Sequence, residues 1–299
     1  MRQETDLGNL INLGVNASTN IYDAVRIYAQ YGNEKLATTK SIMGLFRRLA
    51  KATDTNKPLR ELSIASSDEP QIELLEAAFT GGVCLLDINQ KAIDKANERI
   101  ARHSIEATHA VHGDYTKDFA DTQRSKATLA NKLGGYPFDL ILLNQCLYYC
   151  DRAQWKPLVE NLANNILGPV GAIRIQMMSA GDPRKETMTW IFEHFAERHF
   201  DHQNEWDLLQ LAEELCASPS LKGMKIEAET FDCQFYVEDF EKYMAVIWMG
   251  MLDSYTFDYT REQKEEITSH MLENFWLEKK LLLAPTDCLI ISRGLEEEN

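Results

Sequence analysis

The sequence predicts an α/β protein built on a doubly wound, mostly parallel sheet of seven strands. Between about residues 59 and 178, short apolar segments alternate with amphipathic helical segments, the pattern of a parallel sheet covered by helices on both faces. After residue 178, two further strand-like segments flank a helical insertion, which suits an antiparallel end to the sheet. A content of 44% hydrophobic and 26% charged residues is typical of a folded chain.

The N-terminal segment is predicted to be helical. Apolar residues recur at helical spacing over about 17–50, with a second helix at about 34–51, and a proline-containing loop follows at 52–58. We therefore predict an N-terminal helical cap over 1–58 and a main domain over 59–299.

Each later element follows from a local pattern. The first five strands are predicted at 59–65, 83–87, 108–112, 138–144 and 171–177. Helices are predicted at about 71–79, 90–103 and 151–167, the last one followed by a Gly-Pro turn. Beyond residue 178 we predict helices at 184–200 and 204–216, a strand at 223–231, a helical segment rich in aromatics and Met at 233–283, and a last strand at 287–292. The segments 179–222 and 233–283 would form a lid over a substrate, or alternatively a core or dimer face.

Charge and composition exclude several classes of protein. The formal net charge of −15 repels nucleic acid and anionic membranes, and no apolar run reaches the length of a bilayer span. The six cysteines give no disulfide framework, and the spacing of Cys146 and Cys150 is poor for zinc. We expect a cytoplasmic protein that binds a small molecule and no metal, and we leave a homodimer open.

Polar residues fall where strands of such a sheet end, which is where ligands bind. Asp87 ends the second strand about twenty residues beyond the first turn, at the distance where an acidic residue accepts hydrogen bonds from a ribose diol; the alternative is a helix N-cap. Asp114 would meet the exocyclic amine of a purine or, alternatively, form a turn.

The first turn and the fourth strand complete the pattern. The first strand ends in Ala65, Ser66 and Ser67, with no glycine-rich dinucleotide fingerprint. The fourth ends in Asn144 and Gln145, followed by two adjacent tyrosines. Because the tyrosines cannot share one face, we expect one of them to be structural.

Taken in order, these segments resemble the motif series of class I S-adenosylmethionine-dependent methyltransferases from about residue 59 to 178. The pieces that carry the resemblance are Asp87, HGD at 112–114, FDLILLNQCLYY at 138–149 and LGPVGAIRI at 167–175. The resemblance implies a Rossmann-like methyltransferase fold with S-adenosylmethionine (SAM) as cofactor. The residues it implies for cofactor binding are Ala65, Ser66, Ser67, Asp87, Ile88, Asp114, Tyr115 and Asn144.

The departure from the family lies in the first motif, where Ala65, Ser66 and Ser67 replace glycines. A serine-containing first motif that ends in acidic residues is similar to that of chemotaxis-receptor carboxyl methyltransferases.

Over a longer span, the chain is similar to histamine N-methyltransferase and its relatives, through LSI at 62–64 and QCLYY at 145–149. In that family an acidic residue of the N-terminal helices holds the substrate amine, and Glu34 matches it by spacing. We therefore expect Tyr28, Glu34 and Gln145 to bind substrate and Tyr148 and Tyr149 to be catalytic. Where that family has a substrate-binding Asn, this chain has Ala284 and Pro285, so histamine itself is not supported.

The sequence thus predicts methyl transfer from SAM to a small molecule, with an amine nitrogen as the leading acceptor. Three alternatives stay open: transfer to a hydroxyl or carboxylate oxygen, a non-catalytic binding protein on the same fold, and a different reaction, such as a cyclisation, that keeps the cofactor.

Overall fold

The computed structural model describes residues 7–54, 57–65, 71–201, 205–251 and 258–296. The chain divides into two compact units. The first, which we call the helical unit, comprises Met1–Ala37, Met178–Asp207 and Phe231–Thr286. The second, the sheet unit, comprises Thr38–Met177, Leu208–Thr230 and Asp287–Asn299. The boundaries predicted for a cap, a main domain and a lid stay predictions.

The described residues contain a seven-stranded sheet in the order β3-β2-β1-β4-β5-β7-β6. Its strands are β1 (Arg60–Ile64), β2 (Gly82–Asp87), β3 (Thr108–His112), β4 (Phe138–Asn144), β5 (Leu167–Met178), β6 (Lys225–Phe235) and β7 (Leu282–Arg293). The pairs β1–β2, β1–β4, β2–β3 and β4–β5 are parallel. The Rossmann-like methyltransferase fold predicted from the sequence is confirmed.

Twelve α-helices are found among the described residues. They are α1 (Leu7–Val15), α2 (Ile21–Tyr31), α3 (Glu34–Ala52), α4 (Ile72–Ala78), α5 (Gln90–His103), α6 (Tyr115–Asp118), α7 (Thr122–Asn131), α8 (Arg152–Asn165), α9 (Met188–Phe200), α10 (Leu208–Cys216), α11 (Phe240–Met251) and α12 (Arg261–Met271). No helix of the described part of the chain is long and apolar enough to cross a bilayer.

The central strands are covered on both faces, so even the polar residues Glu61 and Ser63 of β1 are buried. In β4 every residue except the last is buried, as a strand with two covered faces requires. In β3, which lies at the edge of the sheet, only Thr108 is fully buried. The predicted bounds of β3, β4 and α5 match the structure.

Strand β5 differs from the prediction, because the Gly-Pro segment lies inside the strand rather than in a turn before it. Phe138 pairs with Leu167 and Leu140 pairs with Ala172, so a step of two residues along β4 is matched by a step of five residues along β5. The excess is taken up as a bulge. The bulge needs a glycine at position 171, because the Cβ of any other residue would lie only 2.9 Å from the carbonyl oxygen of Asp139.

Other elements were mispredicted or missed. Helix α1 and the two helices between β3 and β4 were absent from the prediction, although Asp114 and Asp121 cap α6 and α7. Strand β7 begins at Leu282 rather than 287, and β6 runs to Phe235 rather than 231. The aromatic and Met-rich segment thus contains less helix than we expected.

The helical unit is built on a core of aromatic, Met and aliphatic side chains. Helix α11 buries residues on several faces, among them Tyr243, Met244 and Trp248, each with 0% exposure. The indole Nε1 of Trp248 donates to the carbonyl oxygen of Gly14, 2.8 Å away. Many of the aromatics expected to line a lid therefore pack in this core.

Candidate active site

The candidate site lies in the sheet unit, at the carboxyl ends of β2, β1 and β4. The chain leads from β1 to β2 and β3 on one side, while β4 lies on the other side of β1. Such a reversal of strand order is where parallel sheets of this kind bind ligands.

The backbone is strained at the ends of both central strands. Ala65, which follows β1, has a φ of 55°, and Gln145, which follows β4, has a φ of 51°. A left-handed φ is unfavourable for any residue other than glycine, because the Cβ comes too close to the backbone. Each is fixed by its own N–H group, which donates to Leu86 O at 2.7 Å for Ala65 and to Gln176 O at 2.8 Å for Gln145. The other two predicted residues of this turn, Ser66 and Ser67, lie outside the described residues.

Asp87 ends β2 beside this turn. The N-cap of α5 is Asn89, whose Oδ1 accepts from the N–H groups of Lys91 and Ala92, so the alternative of Asp87 as the N-cap is wrong. Asp87 Oδ1 instead accepts from the N–H of Asn89 at 2.8 Å. This contact orients the carboxylate at the strand end.

Ile88 provides an apolar surface next to Asp87. Ile88 is 60% exposed, so its side chain is accessible to a ligand. Its carbonyl oxygen lies 3.0 Å from Nε2 of His112, which ends the neighbouring strand β3. Because a carbonyl oxygen only accepts, Nε2 must carry a proton, and the imidazole is engaged in holding this loop.

Asp114 is the N-cap of α6. Its Oδ1 accepts from the N–H of Thr116 at 3.1 Å and from the Thr116 hydroxyl at 2.6 Å, and its Oδ2 lies 2.9 Å from Lys117 Nζ. Burial opposes ionisation of the carboxyl group, but the hydrogen bonds from Thr116 and Lys117 outweigh it, so the pKa of Asp114 is lowered. Asp114 therefore has a structural role, as a helix cap rather than as the turn residue that the sequence offered as the alternative. A contact to a purine amine stays a prediction.

Tyr115 is buried, and its hydroxyl donates to the carbonyl oxygen of Cys146 at 2.7 Å. Burial raises the pKa of this hydroxyl well above its usual range. Tyr115 thereby connects α6 to the segment that follows β4. We expect Tyr115 to keep this hydrogen bond to Cys146 in any contact that it makes with a cofactor.

The two tyrosines after β4 lie on a 3-10 helix, Leu147–Tyr149. Leu147 is the fully buried residue of this helix. Tyr148 is half-buried and its hydroxyl donates to Gln145 Oε1 at 2.9 Å, whereas Tyr149 is 49% exposed. The sheet unit therefore brings Tyr148 and Gln145 together.

A fully buried arginine, which the sequence analysis missed, lies behind the end of β4. Arg174 of β5 donates from Nε to Ser41 Oγ at 3.0 Å, from Nη1 to Asn144 Oδ1 at 2.9 Å, and from Nη2 to Gln176 Oε1. The hydroxyl of Thr38 donates to the same Gln176 oxygen at 2.8 Å. The available signal was one arginine in the otherwise apolar segment AIRIQMM.

The remaining predicted residues belong to the helical unit. Tyr28 lies on α2, with its ring centroid 5.7 Å from that of Phe235, and Glu34 begins α3. Their roles in substrate binding stay predictions.

Two further observations limit the chemistry of the described residues. They contain no group of three or more His, Cys, Asp or Glu side chains able to hold a metal. A groove of about 350 Å³ lies around the 3-10 helix Pro219–Leu221, but none of the candidate residues lines it.

No protein-family model matches the sequence, and no curated protein is similar to it. Among solved structures, the chain is similar to the plantazolicin methyltransferase BamL, solved with a triazolic desmethylPZN analogue and S-adenosylhomocysteine (SAH), with a TM-score of 0.49, 11% identity and 96% of each chain covered. It is also similar to the N-methyltransferase NodS from Bradyrhizobium japonicum WM9, with a TM-score of 0.43, 13% identity and coverage of 85% of this chain and 86% of NodS. A third, the [4+2]-cyclase SpnF, gives a TM-score of 0.46, 12% identity and coverage of 84% and 80%.

These identities are too low to transfer a function to this chain. The assignment of the fold depends on the order of the seven strands in the chain itself. The protein has a Rossmann-like methyltransferase fold, with polar residues gathered at the carboxyl ends of its central strands.

Proposed function

We propose that the protein is a SAM-dependent methyltransferase that acts on a small molecule. One observation carries the proposal: an oriented carboxylate, Asp87, lies at the end of β2 directly beside the left-handed turn at Ala65 that ends β1. A carboxylate in this position is suited to accept hydrogen bonds from both hydroxyls of a ribose.

The chain favours a nucleoside cofactor that carries no phosphate. In the sequence, Ala65 is followed by Ser-Ser-Asp-Glu-Pro, which has no glycine and two acidic residues, and the net charge is −15. Acidic groups at this position would repel a pyrophosphate. SAM combines an adenosine and an amino acid through a cationic sulfonium and has no phosphate, so it suits these features better than a dinucleotide.

Roles for the individual residues follow from their positions. Asp87 would bind the ribose, and the exposed side chain of Ile88 would pack on the adenine. Asp114 would accept from the adenine amine, while the backbone at Ala65, Ser66 and Ser67 would approach the centre of the cofactor. Asn144 at the end of β4 lies on the other side of β1 from Asp87, where the amino-acid part would extend.

When bound, SAM would supply both the electrophilic methyl group and the leaving group of an in-line displacement. The chain has to align the acceptor, exclude water and allow the acceptor to lose its proton. Tyr148, fixed by its hydrogen bond to Gln145, and the exposed Tyr149 are the aromatic residues after β4 that would align the acceptor. A neutral amine needs no strong base, which suits a site where His112, the histidine that ends β3, is engaged with Ile88.

We propose an amine nitrogen as the acceptor, with Tyr28, Glu34 and Gln145 as substrate-binding residues. A cytoplasmic location and a role in small-molecule metabolism belong to the same proposal, and the net charge supports the absence of nucleic-acid partners.

The test is a comparison of ligands by calorimetry, followed by turnover. We expect micromolar binding of SAM and SAH and none of NAD or ATP. Label from methyl-labelled SAM should then be transferred to members of a panel of amines. Transfer only to alcohols or carboxylates would replace the amine by an oxygen acceptor. Cofactor binding without turnover of any acceptor would favour a binding protein or a different reaction, and the absence of SAM and SAH binding would contradict the proposal.

A further inference from the structure

The buried guanidinium of Arg174 has neutral partners. Its side chain is 0% exposed, and each of its three nitrogens donates to an uncharged group, on Ser41, Asn144 or Gln176. No carboxylate of the described residues lies within 4 Å of it, whereas arginines such as Arg99 and Arg152 face Glu76 and Glu214. A buried cation without a carboxylate partner is costly, so its presence calls for a reason beyond packing.

Arginine fixes which way the amide of Asn144 faces. A guanidinium has donors and no acceptor, so the atom of Asn144 that faces Nη1 at 2.9 Å has to be the oxygen. The NH2 group of the same planar amide is therefore turned away from the guanidinium and, whichever group it meets, it can only donate.

Asn144 stands at the right place for one part of the proposed cofactor. Leu143 pairs with Ile64 of β1, so Asn144 is level with the turn at Ala65. Asp87 occupies the equivalent position on β2, on the other side of β1. Two strand spacings, about 10 Å in all, separate the proposed ribose-binding residue from Asn144, which suits an elongated ligand laid across three strand ends.

We propose that Arg174 is a positioning residue that presents the NH2 group of Asn144 as a hydrogen-bond donor to the carboxylate of the cofactor's amino-acid part. The inference rests on the proposed function. In the proposed arrangement Asn144 donates to the ligand. With the amide in the other orientation, its oxygen would face the ligand and would accept from a cation or an amine.

The test exchanges the donor for an acceptor of the same shape. Asn144→Asp keeps an oxygen for Arg174, with which it forms an ion pair, but replaces the NH2 group by a second carboxylate oxygen. The matched control is Gln176→Glu, which places the same new charge beside the same guanidinium and leaves Asn144 intact. Calorimetry would use two ligands, SAH and 5′-methylthioadenosine; the second has the nucleoside and the sulfur but lacks the amino-acid part.

We expect Asn144→Asp to bind SAH about 10- to 100-fold more weakly, the loss expected for a hydrogen bond to a charged group, and to bind 5′-methylthioadenosine as the wild type does. Gln176→Glu should bind both ligands normally. Arg174→Met should weaken SAH selectively, because the amide is then free to turn. Thermal unfolding of Asn144→Asp should show a midpoint no lower than that of the wild type.

Three results would overturn the inference while leaving the proposed function intact: unchanged SAH binding in Asn144→Asp, an equal loss of both ligands, or an equal loss in Gln176→Glu. A wild type that binds neither SAH nor 5′-methylthioadenosine would overturn the proposed function and this inference together.

Discussion

The two units of the chain bury polar groups in different ways. In the sheet unit, the polar groups Ser41, Asn144, Arg174 and Gln176 form one hydrogen-bonded cluster at the ends of two strands. In the helical unit, the imidazole of His270 is half-buried between aromatic rings, with centroids 5.4 Å from Phe195 and 6.1 Å from Phe275, and its Nδ1 lies 3.3 Å from Asn274 Nδ2. The first unit therefore holds polar groups in fixed directions, as a site requires. In the second unit, a titratable imidazole that packs against aromatic rings makes the stability of the fold depend on pH.

The largest expected effects come from two buried tryptophans, one in each unit. Trp155 of the sheet unit donates from Nε1 to the carbonyl oxygens of Leu147 and Cys150, at 3.2 and 3.0 Å. Trp248 of the helical unit donates to Gly14. Replacing either by Phe removes the indole N–H donor and takes volume out of a closed core, so each should cost about 1 to 3 kcal/mol in a urea unfolding measurement.

The two variants should differ in ligand binding. Trp155→Phe removes the hydrogen bonds from Trp155 to the segment that carries Tyr148 and Tyr149, so it should also reduce SAH affinity, while Trp248→Phe should leave SAH affinity unchanged. Equal SAH affinities in the two variants would show that the strand ends do not depend on this support.

The next prediction concerns pH and the helical unit. Burial lowers the pKa of His270, and the neighbouring His194 lowers it further against the opposing effect of Glu266 and Glu273. Because the unfolded chain takes up this proton near pH 6.5 and the folded chain only at lower pH, stability should fall as the pH is lowered through about 6.5. Unfolding midpoints at pH 7.5 and 5.5 should differ less in His270→Phe than in the wild type; an equal difference would show that other groups cause the dependence.

The smallest expected effect tests the strain at the end of β1. Ala65→Gly relieves a left-handed φ and should raise the free energy of unfolding by less than about 1 kcal/mol, since the gain in strain is partly offset by the entropy of glycine in the unfolded chain. The matched control is Ala101→Gly on the exposed face of α5, which should lower it by about 0.5 to 1 kcal/mol. Two losses of similar size would contradict the presence of strain at Ala65.

The same contrast explains what the sequence could predict. Alternating strands and helices have a clear period, so β3, β4 and α5 were placed correctly. Asp87 and Asn144 were selected as candidates because they end apolar strands, and their roles stay predictions. Arg174 was missed because a buried arginine is recognised only when residues from α3, β4 and β5 come together. The bulge in β5 was missed because it is defined by its pairing with β4, and Gly-Pro by itself is typical of a turn. In the segment 233–283, apolar residues occur on all faces, so no period marked where helices ended or where β7 began.

The most direct test of the central claim is SAH binding by Asp87→Ala, measured by calorimetry beside Asp94→Ala. Asp94 lies on the exposed surface of α5, where it accepts from Gln90 Nε2 at 2.8 Å, so its variant controls for the loss of one carboxylate from this region. The account predicts micromolar SAH binding in the wild type and in Asp94→Ala, and a loss of at least about tenfold in Asp87→Ala, because a ribose would lose a charged hydrogen-bond acceptor. Equal SAH affinity in all three proteins, or none in the wild type, would contradict it.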